Sequence, residues 1–301
     1  LRIWRGETIS RAAWVAALLL LLGLFAALSH LSATTIDYSR YNPEWNGTSR
    51  LFQLMDDHGA IMVTRPVDLP ASGDAILLLL VPDGEFDQDE ISRLRRFMGE
   101  GNILVLVSDR EAENLLLSGL GSGIRVHDAN LSSVDRSYDH PSSVLGFSAG
   151  DDPLVAGISR ILLNSPSYLE GGVPVFETSL LSWIDADGDS RLSKEETLQR
   201  YRVVATEQHG EGILYVIADP SIFINGMLTP RSGDGNSVFI QHILTAKPLL
   251  LVEQGHSRTA SAPAVIRVVN LVKESTITKM ALITLIFLAV SLFILQRRKE
   301  P

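Results

Sequence analysis

The stretch DADGDSRLSKEE, from Asp185 to Glu196, places three aspartates at alternate positions and closes on a glutamate. A twelve-residue calcium loop takes oxygen ligands from positions 1, 3, 5, 7, 9 and 12. Here those positions are Asp185, Asp187, Asp189, Arg191 through its backbone carbonyl, Ser193 (often through a water) and Glu196. Short carboxylates two apart wrap a hard cation, and a terminal glutamate can close on it with both oxygens. Leu192, at position eight, supplies the apolar contact usual inside such loops. Position six is normally glycine, because the backbone there turns through positive φ. Ser190 stands in that place, and Gly188 comes two positions early. Forcing a side chain to positive φ costs on the order of 1 kcal/mol, which weakens a site without forbidding it. The expectation is one structural calcium ion. A lone loop does not make a paired sensor, and the competing reading is a solvated acidic turn. LLSWI ahead of the loop reads as a short strand or helix. SKEETLQRY behind it is expected to exit as a helix, capped by Ser193 with Glu196 three residues on.

Other residues able to do chemistry are few. In ADPSIFIN, Asp219 and Ser221 follow an apolar run that reads as a parallel strand, and the ends of such strands often line a ligand crevice. Asp219, Ser221 and Asn225 are therefore ligand-binding candidates; the alternative is that they cap and tie the following turn. Of seven histidines none has HExxH spacing. His140 with Asp139, and His256 with Glu253, could form acid–base pairs, against the plainer readings of a solvated turn and a packing contact. GSG at Gly121–Gly123 lacks the spacing of a dinucleotide fingerprint, and no GxxxxGK[ST] loop is present. The chain has no cysteine, so cysteine nucleophiles and disulfide bracing are both excluded.

These residues need elements to hold them, and the elements begin at the ends. Residues 12–31 run about 20 positions without a charge, long enough for a helix to cross a bilayer. Residues 280–296 form a shorter apolar run near the lower limit of about 17. The first could also be a cleaved signal peptide, although its core exceeds the usual 7–15 residues. Arg2, Arg5 and Arg11 precede the first run; Arg297, Arg298 and Lys299 follow the second. Basic flanks stay on the cytoplasmic side, so both termini are expected inside and the middle outside. Each basic end carries +2 against −9 for the chain, which leaves −13 for the middle. That balance argues against nucleic acid and for a cation as partner. NGT at Asn46 and NLS at Asn130 match the glycosylation triplet, which occurs often by chance.

Between the ends, apolar runs alternate with amphipathic stretches. GTSRLFQLMDDHG reads as a short helix and AIMVTR as a strand. DAILLLLVPD suits a central parallel strand covered on both faces. DQDEISRLRRFMGEG begins with acids, repeats Ile91, Leu94 and Phe97 at helical spacing, and stops at glycine. NILVLVSD is the next strand and EAENLLLSGLG the next helix. YRVVAT and GILYVIADP add two strands, and GDGNSVFIQHILTA a covering helix. Residues 121–175 give no clear strand assignment. Alternation of this kind implies an α/β fold with a parallel-rich sheet flanked by helices. The divisions expected are a tail at 1–11, a transmembrane helix at 12–31, an extracytoplasmic α/β domain at 37–256, a stalk helix at 257–279, a transmembrane helix at 280–296 and a tail at 297–301.

YNPEWNGTSRLFQLM, ILLLLVPDGEFDQDEISRLRRFMGEGNILVLVSD and GEGILYVIADPSIFINGML together resemble a family of membrane-anchored domains of unknown function. That family is similar in fold to class I glutamine amidotransferases and to the auxiliary subunit of gliding-motility-type ABC transporters. The resemblance covers about Asp37 to His256, and Asp219-Pro220-Ser221 with Asn225 is its most specific part. LLVEQGHSR looks like the acidic-plus-histidine segment that often follows the domain. The resemblance implies a place beside MoxR-type ATPases and transglutaminase-like membrane proteins. An amidotransferase needs a cysteine in the turn after a central strand; here that turn offers Asp109 and Arg110, so amidotransferase chemistry by that route is excluded. The resemblance supports a fold and a location, not an activity. The expected function is a non-enzymatic binding or assembly module in the cell membrane, part of an envelope or transporter-associated complex. The alternative is a hydrolase using carboxylates and a histidine on the same fold.

Overall fold

The computed structural model describes residues 33–65, 69–71, 73–135, 140–228 and 235–264, with isolated positions 23, 266, 280 and 284. By contacts the chain divides into Thr35–Ser261 and a second unit made of Leu1–Thr34 with Ala262–Pro301. Among the described residues no helix is long and apolar enough to cross a membrane. The two stretches expected to do so, 12–31 and 280–296, lie outside the described residues except for Gly23, Met280 and Thr284. Most of the expected stalk helix at 257–279 lies outside them too; its first residues form a 3-10 turn at Arg258–Ala260.

The unit Thr35–Ser261 is built on an eleven-stranded sheet. Five strands are parallel: β1 (Ile61–Val63), β2 (Ala75–Leu80), β3 (Ile103–Val107), β12 (Gly212–Ile217) and β13 (Leu249–Glu253), in the order β1-β13-β2-β3-β12. All six residues of β2 and all five of β3 are buried, as continuous apolar runs in a doubly covered sheet require. Alternate side chains go to opposite cores. Ile76, Leu78 and Leu80 join Leu51, Phe52 and Met55 of helix α1 (Ser49–Asp57). Ala75, Leu77 and Leu79 join Ile91, Leu94, Phe97 and Met98 of helix α2 (Gln88–Gly99) and Leu116, Leu117 and Leu120 of helix α3 (Asn114–Leu120). Helix α4 (Asn236–Thr245) packs Phe239, Ile240 and Ile243 into the first core. Helix α2 starts where the sequence puts it. Asp87 caps it in a full capping box with Glu90, and it connects the neighbouring strands β2 and β3.

The rest of the sheet departs from the parallel-rich expectation. β12 pairs antiparallel with β11 (Arg202–His209), and the sheet continues antiparallel through β9 (Val173–Thr178), β6 (Leu145–Ser148) and β7 (Arg160–Leu162). β8 (Tyr168–Glu170) branches from β11 and carries β4 (Arg125–His127). YRVVAT and GILYVIADP are thus the two arms of a hairpin, and GILYVIADP is parallel to its other neighbour, β3. The hairpin's two-residue turn at Gly210 and Glu211 has Gly210 at φ 63°, and His209 pairs with Gly212. A Cβ on Gly212 would lie 2.2 Å from the Met98 carbonyl oxygen, so only glycine lets the hairpin close against α2. The stretch 121–175 supplies β4, β6, β7, β8, the start of β9 and β5 (Leu131–Ser133). β5 forms a separate two-stranded sheet with β10 (Ser182–Ile184).

Candidate functional site

The acidic loop leaves directly from β10, so LLSWI resolves as a strand. Asp185, Asp187 and Asp189 each offer one carboxylate oxygen, and the three lie within 4.8 Å of one another. Asp185 is 7% exposed, and its Oδ1 is buried with no hydrogen-bond partner. Its Oδ2 accepts from the Ser190 N–H at 3.0 Å. Ser190 sits at φ 60°, the positive value the sixth position demands, without the glycine that would adopt it freely. Asp187 and Asp189 each accept from the N–H two residues on, at 3.2 and 2.7 Å, the second from Arg191. Glu196 is not brought to the aspartates. It closes the loop by accepting from the Ala186 N–H (3.0 Å) and the Ser193 N–H (2.8 Å). The contact with Ser193 is half of the expected capping box, yet no helix follows it. Residues 194–198 are irregular, and Gln199 bridges back to Ser182. A buried carboxylate oxygen without a donor is costly unless a cation faces it. The donor set is all oxygen, which fits a hard cation such as calcium.

The DPSIFIN segment is brought to the carboxyl ends of the parallel strands. Asp219 follows β12 and is buried. Its Oδ2 accepts from the Asn164 N–H at 2.7 Å, and its Oδ1 from the Ser221 N–H at 2.8 Å and from the Ser221 hydroxyl. Burial pushes its carboxyl up to about 6 against the pull of these three donors, with the Asp109 carboxylate adding to the rise. Asn225 has a different task. Thr48 stands at the N-cap of helix α1 but turns its hydroxyl to the Tyr38 carbonyl at 2.7 Å, and Asn225 caps the helix from across the fold, its Oδ1 accepting from the Arg50 N–H at 2.9 Å. Its amide donates to the carbonyls of Asn42 (3.0 Å) and Glu44 (2.7 Å) and to the Ser49 hydroxyl (3.1 Å). Asn225 thereby ties the segment that enters the domain to the sheet. His140 lies in an exposed turn, where its Nδ1 pairs with Ser142; Asp139 lies outside the described residues. No hydrogen bond joins His140 to Asp109, Asp219 or Ser221 among the described residues.

The other acid–base pair is present. Glu253, at the end of β13, is buried and accepts from the Gly255 and His256 N–H groups at 2.6 and 2.9 Å. His256 Nδ1 lies 3.1 Å from Glu253 Oε1, its Nε2 lies 3.4 Å from Glu90 Oε2, and Phe86 stacks on its ring at 4.1 Å. Burial raises the Glu253 carboxyl, and the His256 contacts pull it back. LLVEQGH is therefore a fifth parallel strand with its turn, which the sequence reading did not assign.

Glu113 was also passed over. It ends the short 3-10 turn Glu111–Glu113 after β3, is 6% exposed, and its carboxyl is pushed up to about 7 by burial. Arg110 opposes the rise, while Asp83 and Asp109 add to it. The sequence signal was faint: an acid two residues before LLL, in a helix that buries that face. A group held above its unfolded pKa contributes stability that is complete below about pH 4.5 and is lost as pH rises through about 7. Glu113→Gln should escape that loss. Thermal melts across pH 4–8 are expected to show the variant gaining on the parent with pH, by on the order of 2 kcal/mol above neutrality. Parallel curves would remove the case for a perturbed Glu113.

Residues 40–244 match the model of a domain of unknown function, DUF4350. An uncharacterised protein in the nifH1 5′ region of Methanothermococcus thermolithotrophicus is 37% identical over 73 residues, which is 23% of this chain and 72% of that protein. Among solved structures, the mmIFT52 N-terminal domain aligns with a TM-score of 0.42 at 18% identity, over 56% of this chain and 76% of that one. Cytoplasmic protein STM1381 of Salmonella typhimurium LT2 aligns at 0.34 and 13% identity, over 66% and 83%. Both scores are too low to assign a common fold. The family match spans well over half of the 301 residues, and the chain belongs to the DUF4350 family.

Proposed function

We propose that the chain is an extracytoplasmic binding or assembly module, held at the cell membrane by hydrophobic segments at both ends and braced by one structural calcium ion. The observation that carries the anchoring is where the domain begins and ends. Ser39 Oγ donates to the Ser261 carbonyl at 2.7 Å, and the Arg40 N–H donates to the Thr259 carbonyl at 2.8 Å. Arg258 stacks over the Tyr38 ring at 5.6 Å. The polypeptide enters and leaves the domain at one place, as a module tethered at both ends to a single surface requires. The orphaned Asp185 oxygen supports calcium, with Asp185, Asp187 and Asp189 as side-chain ligands and Arg191, Ser193 and Glu196 able to complete the shell. Asp219, Ser221 and Asn225 are assigned to holding the carboxyl edge in shape for a ligand. Five parallel strands with helices on both faces are compatible with a glutamine amidotransferase-like origin that has lost its nucleophile. Partners of the module are other membrane or envelope proteins, in the neighbourhood of a MoxR-type ATPase system.

A reporter active only in the cytoplasm tests the placement. Fused after Pro301 it should be active, and inserted at Gly233 it should be silent. Activity at Gly233 would remove both the extracytoplasmic domain and the millimolar calcium that such a domain meets.

The hydrolase reading rests on one observation, the Glu253–His256–Glu90 arrangement at the carboxyl edge. Its nearest hydroxyl in sequence, Ser257, is already committed to the Leu80 carbonyl and to Thr259. The binding module is the better account.

A further inference from the structure

A cavity of about 470 Å³ opens between the loop after β2 and the segment after β3. That volume is within the range of small-molecule sites, roughly 300–1,000 Å³. Its walls are apolar, from Phe86, Ile91, Leu115 and Leu116. Its polar groups are unequal. Asp83 and Arg110 form an ion pair with each other at 2.9 Å. Glu113, nine-tenths buried, lines the cavity and makes no hydrogen bond or ion pair through its carboxyl among the described residues. Glu85 adds a second acidic group. Three carboxyls against one guanidinium, itself committed, leave the cavity short of positive charge, with the neutral Gln88 amide the other polar side chain on its wall. The loop that forms one wall starts at Val81, a buried β-branched residue held at φ 47°. Backbone strain of this kind persists where the surroundings fix it and is commonest at ligand sites.

We infer that this cavity binds a small organic cation, a primary ammonium group on a short apolar body, with the ammonium on Glu113 and the body against Phe86, Leu115 and Leu116. An ammonium supplies the donors that Glu113 lacks and a charge that suits the acidic rim. A hydrocarbon body of a few carbons removes the four apolar walls from water. The site is separate from the calcium loop and does not depend on it. Charged groups around Glu113 are Asp83 and Glu85 from the loop after β2 and Asp109 and Arg110 from the loop after β3. Behind Phe86 stands the His256–Glu90 pair.

The test is calorimetry on the full chain in a metal chelator, so that the calcium loop contributes nothing. The probes are n-butylammonium and n-butanol. The ammonium should saturate one site with Kd about 1 mM or tighter, reasonable for five heavy atoms. n-Butanol should bind at least tenfold more weakly. An alkylammonium stays protonated between pH 6 and 8. Glu113, with its carboxyl at about 7, is mostly neutral at the lower pH and mostly ionised at the higher, so affinity should rise about tenfold between them. Glu113→Gln should lose about tenfold at pH 8 and become flat with pH, with an unchanged melting profile at pH 4. The pH response of the parent chain needs no variant, so a misfolded substitution cannot hide the result. Absence of saturation, equal binding of butanol, or unchanged binding by Glu113→Gln would each overturn the inference.

Discussion

Asn225→Ala is expected to cost about 2–4 kcal/mol of stability, the loss of one helix cap plus buried carbonyls left without donors. The side chain caps α1 through Arg50 and holds Asn42, Glu44 and Ser49. For a unit of this size the melting temperature should fall by roughly 5–15 °C. Asn225→Asp should be no rescue. It keeps the acceptor for the Arg50 N–H but turns a carboxylate toward two carbonyl oxygens. A loss below about 0.5 kcal/mol for both variants, measured by denaturant titration, would show that the entering segment is not tied to the sheet by this residue and would free Asn225 for a ligand.

Asp185→Ala with Glu196→Ala should abolish calcium binding, and with it the calcium-dependent rise in melting temperature. At 1 mM ion and a Kd near 10⁻⁴ M, that rise corresponds to about 1.4 kcal/mol. Ser190→Gly should act in the opposite direction. Ser190 already adopts φ 60°, so a glycine there removes a cost on the order of 1 kcal/mol from the folded chain and raises its melting temperature with or without the ion. If the double variant keeps the same calcium-dependent shift as its parent, the ion sits elsewhere.

The parallel half of the fold was readable because its signals are local. AILLLL and ILVLV are uninterrupted apolar runs, and Asp87 with Glu90 marks the start of the intervening helix. The antiparallel half was read less well. Its strands are three to eight residues long, and their pairing is set by neighbours distant in sequence, such as β9 against β11. One signal there was strong and passed over. HGEG after YRVVATEQ is a two-residue hairpin turn, which excludes a parallel partner for β12 on that side. At the acidic loop, spacing singled out the three aspartates, whose oxygens lie within 4.8 Å of one another, and Ser190, which sits at φ 60°. It could not show that Glu196 would satisfy backbone N–H groups of its own loop, because that depends on the chain turning irregular instead of helical after Ser193. Glu113 was hidden for a related reason. Whether an exposed-looking acid in EAENLLL becomes buried depends on how α3 and the loop after β2 close over it, and the residue pattern of the segment encodes that only faintly.

The most direct measurement is a calcium titration of the full chain by calorimetry at neutral pH. One site is expected, with Kd in the range of about 10⁻⁴–10⁻³ M that extracellular modules use. The Asp185 Oδ1, now buried without a partner, would gain one. A chain that shows no calcium heat at millimolar ion would contradict that expectation, and DADGDSRLSKEE would be an acidic turn and nothing more.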